Sequence, residues 1–236
     1  MLLWGVLPLG LEVTLRSMDA YTIIWYRFLF SAVVLGAVLA YRRTFPSVAS
    51  FSATVWWLLL IATAFLAINY LCYLLGLQRT TSANSQVLIQ LAPVLLALGG
   101  IRVFDERFMP VQWLGFGILL LGLGAFMRDQ MGFAAVAAAY RLGTSLMIVA
   151  AVAWAIYGLA QKQLLRWLPS SAIMVCIYAG CTVLFVPLST PRQLLGMPAV
   201  DRWMLLFCAP TRSRPTGRFR RRSRTGKPRA WPPCSR

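Results

Sequence analysis

The sequence predicts an all-α, multi-pass helical membrane protein, built as an inverted repeat of five-helix units whose second repeat is incomplete. Three observations predict it. Hydrophobic residues make up 59% of the 236, and charged residues 12%, about half the charge of a soluble domain. Apolar runs long enough for the ~30 Å hydrocarbon core recur along the chain, with short loops between them. The sequence also matches itself without gaps at an offset of 150. LWGVLPLGLEVTLR (3–16) aligns with AWAIYGLAQKQLLR (153–166), pairing Trp4 with Trp154, Leu9 with Leu159, Leu15 with Leu165 and Arg16 with Arg166; further on, Ile23 meets Ile173 and Val33 meets Val183.

The first run, 1–15, is short: fifteen helical residues reach about 22 Å. Glu12 lies late in it. An ionised carboxylate there can take a cation or a proton, or it can pair with Arg16 one turn on. The second span, about 21–41, carries Arg27 roughly 9 Å along the helix. An arginine at the centre of a span costs about 2.5–3.5 kcal/mol on the insertion scale. It is either a counter-charge for an anionic substrate group or a snorkelling or Glu-paired cation.

The third span, about 55–77, puts Asn69 and Tyr73 on one face by their spacing of four. The fourth, about 83–101, bears Asn84, then Gln86 and Gln90 on one face, then Pro93. Proline removes a backbone donor and so is expected to free the carbonyl of Ile89 toward a cavity. These polar groups are substrate contacts or interhelical glue worth ~0.6 kcal/mol each. The fifth span, about 111–127, carries Gly115, Gly117, Gly122 and Gly124, read as permitting close helix packing. Residues 131–140 are read as a connection or interfacial turn between halves. The sixth span, about 143–161, brings Trp154 and Tyr157, as cavity lining or as core. The seventh is about 172–188, and an eighth begins at WMLLFCA (203–209) and stops.

Loop arginines set the orientation. Arg42, Arg43, Arg102 and Arg107 follow even-numbered spans, against Arg16 and Arg79 after odd ones, which puts the Met1 end inside. The later loops oppose this, with Lys162 and Arg166 facing Arg128, Arg141, Arg192 and Arg202. Five spans separate Trp4 from Trp154, so the second copy runs the other way through the membrane, an architecture recurrent in secondary transporters. The expected units are 1–130, 143–209 and a tail at 210–236.

The segments SANSQVLIQLAPVLLALGG (82–100), DERF (105–108) and QWLGFGILLLGLGAF (112–126) together resemble the EamA-type drug/metabolite transporter superfamily. LLWGVLPLG (2–10) and WYRFLFSAVVL (25–35) resemble that family's first two helices. The resemblance covers about residues 1–209. It implies a ten-helix transporter of two repeats that moves a small metabolite or drug-like compound, often outward, across the bacterial inner membrane. The implied partners are a small-molecule substrate and the lipid bilayer, with a homodimer left open and no specific nucleic acid.

The chain has no histidine, which removes Ser-His-Asp and His-metal chemistry. No catalytic residue, metal or cofactor is expected, so an intramembrane hydrolase or acyltransferase is the weaker rival. Cys72, Cys176 and Cys181 lie in apolar stretches and read as small hydrophobes. The net charge of +17 divides unevenly: residues 208–236 hold ten Lys+Arg and no acid. That tail is either a basic surface for anionic lipid or nucleic acid, or an out-of-frame reading of further helices. An arginine codon of the CGN type read one base earlier encodes Ser, Pro, Thr or Ala. The second reading is the expectation, and with it little or no transport by this chain alone.

Overall fold

The computed structural model describes residues 15, 19–43, 51–105, 109–134 and 138–190. The expected first span with Glu12, the eighth run and the basic tail lie outside them. So do Glu106 and Arg107.

Among the described residues seven α-helices form: α1 Ala20–Tyr41, α2 Ala53–Leu77, α3 Ser82–Leu88, α4 Leu91–Phe104, α5 Pro110–Ala134, α6 Ala138–Leu164 and α7 Ser170–Phe185, the last running into a 3₁₀ turn at Val186–Leu188. Local chemistry sets several ends. The Ser52 hydroxyl accepts from the Val55 N–H, and the Thr81 hydroxyl from the Asn84 N–H, so each caps the helix that follows. Pro169 precedes α7 in an extended conformation. Asp105 closes α4 with φ 53°, in the left-handed region.

Among the described residues five spans are long and apolar enough to cross a membrane: α1, α2, the α3–α4 pair, α6, and α7 with its 3₁₀ turn. The apolar part of α5, Pro110–Phe126, is shorter. The outer surface agrees with a lipid solvent. Trp57 is 66% exposed, Leu121 76% and Val183 71%, as expected of side chains that face lipid.

The core lies between α1, α2, α6 and α7, where Ile23, Ile24, Leu66, Leu74, Met147, Leu164, Ile173 and Ile177 are fully buried. α2 runs antiparallel to α6: Asn69 meets Ala150, and Gly76 meets Gly143 and Met147. A Cβ on Gly143 would stand 2.5 Å from the Thr80 Cγ2 and 3.1 Å from the Arg79 carbonyl carbon, so only glycine fits there. α4 lies parallel to α6, with Leu159 over Gly99 and Leu96 over Gly158. α1 is antiparallel to α7: Thr22 bonds Thr190, and Gly36 faces Val175.

Three sequence expectations change. The stretch 131–140 is mostly helical, with α5 continuing to Ala134 and α6 starting at Ala138; its alanines are the strongest helix formers. The glycines of α5 do not mediate close packing among the described residues, since a Cβ at Gly115, Gly117, Gly122 or Gly124 would meet nothing within 4 Å. The Ile89 carbonyl is not bare. It accepts the Ala92 N–H at 3.0 Å, in a tight turn between α3 and α4.

Candidate functional site

Arg27 and Phe28 lie on the buried face of α1 with Ile23, Ile24 and Ser31. That spacing is one helical stripe, and it brings Arg27 against α2. The Arg27 guanidinium carbon stands 5.4 Å from the centre of the Tyr70 ring. Tyr73, further along α2, is half-buried against the core. Phe28 meets the Tyr70 ring edge-on at 4.9 Å and touches Tyr178 and Phe185 of α7 at 5.9 and 6.5 Å. One ring on α1 therefore holds three helices in register.

Arg27 is 8% exposed. A cation–π contact is worth about 0.5–2 kcal/mol, less than the roughly 2.5–3.5 kcal/mol cost of an arginine deep in a span. The Tyr70 ring offsets only part of that cost. Among the described residues, the Trp25 Nε1 is the one buried side-chain polar atom left without a partner.

Among the described residues, the other sequence-predicted positions make contacts of their own, away from the Tyr70 ring. The Asn69 Nδ2 donates to the Ala150 carbonyl at 2.7 Å, a buried bond that ties α2 to α6. The Asn84 Nδ2 reaches the Thr144 hydroxyl at 3.5 Å, at the opposite end of α6 from Trp154 and Tyr157. Beside Asn84, the Ser85 and Thr80 hydroxyls bond at 3.1 Å, and Thr80 donates to the Gly76 carbonyl. This is a polar knot at the α2–α3 turn. The Tyr157 hydroxyl donates to the Met174 sulfur at 3.8 Å between α6 and α7, and Trp154 is half-buried against the core. Gln86 is half-buried, while Gln90 and Pro93 are exposed.

Sequence reasoning singled out Arg27 and Tyr73 but missed Tyr70 and Phe28. The spacing of three between Tyr70 and Tyr73 was the available signal. Among the described residues no group of three His, Cys, Asp or Glu could hold a metal.

The EamA-like transporter family matches residues 1–128. An uncharacterized transporter of Haemophilus influenzae is 32% identical over 205 residues, covering 87% of this chain and 67% of the relative. The uncharacterized inner membrane transporter YhbE of Escherichia coli is 33% identical over 207 residues, covering 87% and 64%. The chain thus spans about two thirds of the length of these curated relatives. A protein of known crystal structure, 19% identical, superposes with a TM-score of 0.62 over 89% of this chain and 70% of its own. At that identity the likeness carries the fold alone.

Proposed function

The chain belongs to the EamA-like transporter family, and on that premise we propose that it is the larger part of an inner-membrane secondary transporter that exports a small metabolite by rocking two inverted halves. The α1–α7 pair carries the reading. α1 begins at Ala20 and α7 at Ser170, the same offset of 150 as the sequence self-match. Under that offset, five buried positions of α1 fall on buried positions of α7: Thr22 on Ala172, Ile23 on Ile173, Arg27 on Ile177, Phe28 on Tyr178 and Ser31 on Cys181. Phe28 and Tyr178 are equivalents that also touch. Two repeat-equivalent side chains in contact lie beside the axis that relates them. The helices cross antiparallel there, as an inverted repeat requires.

Secondary transporters of this design hold substrate near the midplane between the halves. On this reading Arg27, which stacks on the Tyr70 ring, and Tyr73 are proposed contacts on the first-half side of that junction. Glu12, Gln86, Gln90, Pro93, Trp154 and Tyr157 remain proposed contacts, while Asn69 and Asn84 act mainly in holding α6 in place.

The test is flux of a metabolite panel into inside-out vesicles. One preparation carries this chain, and a second carries it completed with the C-terminal third of the Haemophilus influenzae relative. The completed form is expected to take up at least one compound saturably, and this chain a small fraction of that. Absence of saturable uptake by the completed form contradicts the transporter reading, and equal uptake by both contradicts the need for the rest of the second half.

A further inference from the structure

We propose that the moving bodies of the transporter cut across the sequence repeat: α6, which begins the second copy, travels with α2, α3 and α4 of the first, and the connection Leu165–Pro169 between α6 and α7 is the hinge. The proposal rests on the transporter reading and names the elements that rock together.

By the offset of 150, α6 is the counterpart of the run 1–15 and belongs to the second copy. By packing it belongs to the first, since it lies chiefly on α2 and α4. Near its start, a Cβ on Gly76 of α2 would stand 3.0 Å from the Met147 Cε and 3.1 Å from the Gly143 oxygen, and Asn84 of α3 reaches Thr144. Midway, Asn69 of α2 donates to the Ala150 carbonyl at 2.7 Å. Further on, a Cβ on Gly99 of α4 would meet the Leu159 Cδ1 at 2.6 Å, and one on Gly158 would meet the Leu96 Cδ1 at 2.9 Å. At its end, Lys162 and, just beyond, Arg166 stack on the Phe104 ring of α4 at 4.9 and 5.2 Å. Side chains seated on glycines allow close approach and leave little room to slide. The first copy therefore holds α6 at its start, its middle and its end.

α6 meets α7, the next helix of its own copy, in a softer way. The Tyr157 hydroxyl donates to the Met174 sulfur at 3.8 Å, a weak acceptor on a flexible side chain. Such a contact can be remade at several relative positions. Pro169, in an extended conformation, separates the two helices, and its missing N–H breaks the hydrogen-bond ladder between them. α7 does touch the α2 body where Gly180 faces Thr63 and the Cys181 thiol donates to the Thr63 carbonyl at 3.6 Å. That contact is a crossing, about which one body can turn on the other.

Spin labels on the full chain in lipid nanodiscs, with its native cysteines replaced by serine, test the proposal. The readout is the width of each distance distribution, since freezing traps the states of a slow collective motion. Leu142 with Val103 reads α6 against α4, and Leu142 with Val183 reads α6 against α7; all three side chains are exposed. The first pair should give a single narrow distance. The second should be about twice as wide, the excess that hinge motion between two bodies adds. A second distribution as narrow as the first overturns the proposal, and so does a first distribution wider than the second. The two readings fail separately. The expected widths without flux by the completed transporter sink transport alone, and equal widths with flux intact sink the exchange of α6 alone.

Discussion

At the scale of single residues, several buried polar groups among the described residues bind helices together. Asn69 gives its amide to a backbone carbonyl of α6. Within a membrane such a bond is worth about 0.6 kcal/mol on average and up to about 1.7. Asn69→Ala should therefore lower unfolding free energy in detergent by that range, and no loss would remove Asn69 from the α2–α6 interface. Gly143 makes a sharper case, because the atoms around it include the Arg79 backbone. Gly143→Ala should cost about 1–3 kcal/mol, as overpacking does. Gly117→Ala, which meets nothing within 4 Å, should cost nothing. Equal effects in the same unfolding assay would contradict the packing described. Arg27 and Tyr73 were legible from sequence because a charge or a hydroxyl within an apolar span needs a reason to be there. Tyr70 was not, because an aromatic ring in an apolar run looks like any other hydrophobe. The acceptor for Asn69 was not legible either, since a backbone carbonyl carries no sequence signature.

At the scale of elements, span limits followed closely from hydropathy, because the thickness of the hydrocarbon core dictates them. The second and third expected spans, about 21–41 and 55–77, became Ala20–Tyr41 and Ala53–Leu77. The interior of the fourth span was only half legible. Pro93 signals a lost hydrogen bond, but not how the backbone replaces it. The chain answers with a tight turn at Ile89 and Gln90, and Pro93 then sits in the first turn of α4, where its missing N–H does no harm. Pro93→Ala restores a donor for the Ile89 carbonyl. Spin labels at Ser82 and Val103 should then read a longer separation as α3 and α4 merge. An unchanged distance would place the cause of the break elsewhere. The α5 glycines meet no neighbour among the described residues; a small-residue stripe states that something can approach closely, without saying what.

At the scale of the whole molecule, the proposed transporter has two halves that cross the membrane in opposite senses. The self-match was visible in the sequence as a handful of identities at one offset. The structure adds that α1 and α7 start at that offset, bury equivalent positions and meet at Phe28 and Tyr178. The bond between Thr22 and Thr190 brings the start of α1 and the segment after α7 to one side of the molecule. The parallel course of α4 and α6 brings Phe104, Lys162 and Arg166 together, with both cations over the Phe104 ring. That cluster lies at the end expected to face the cytoplasm, where loop cations accumulate. Reporter fusions along the chain in intact cells test this most directly. Fusions after Arg43, after Asp105 and after Trp167 should read cytoplasmic, and those after Arg79 and after Thr190 external. If the fusions after Arg43 and Thr190 reported the same face, α1 and α7 could not be inverted copies, and the two-half transporter would fall with them.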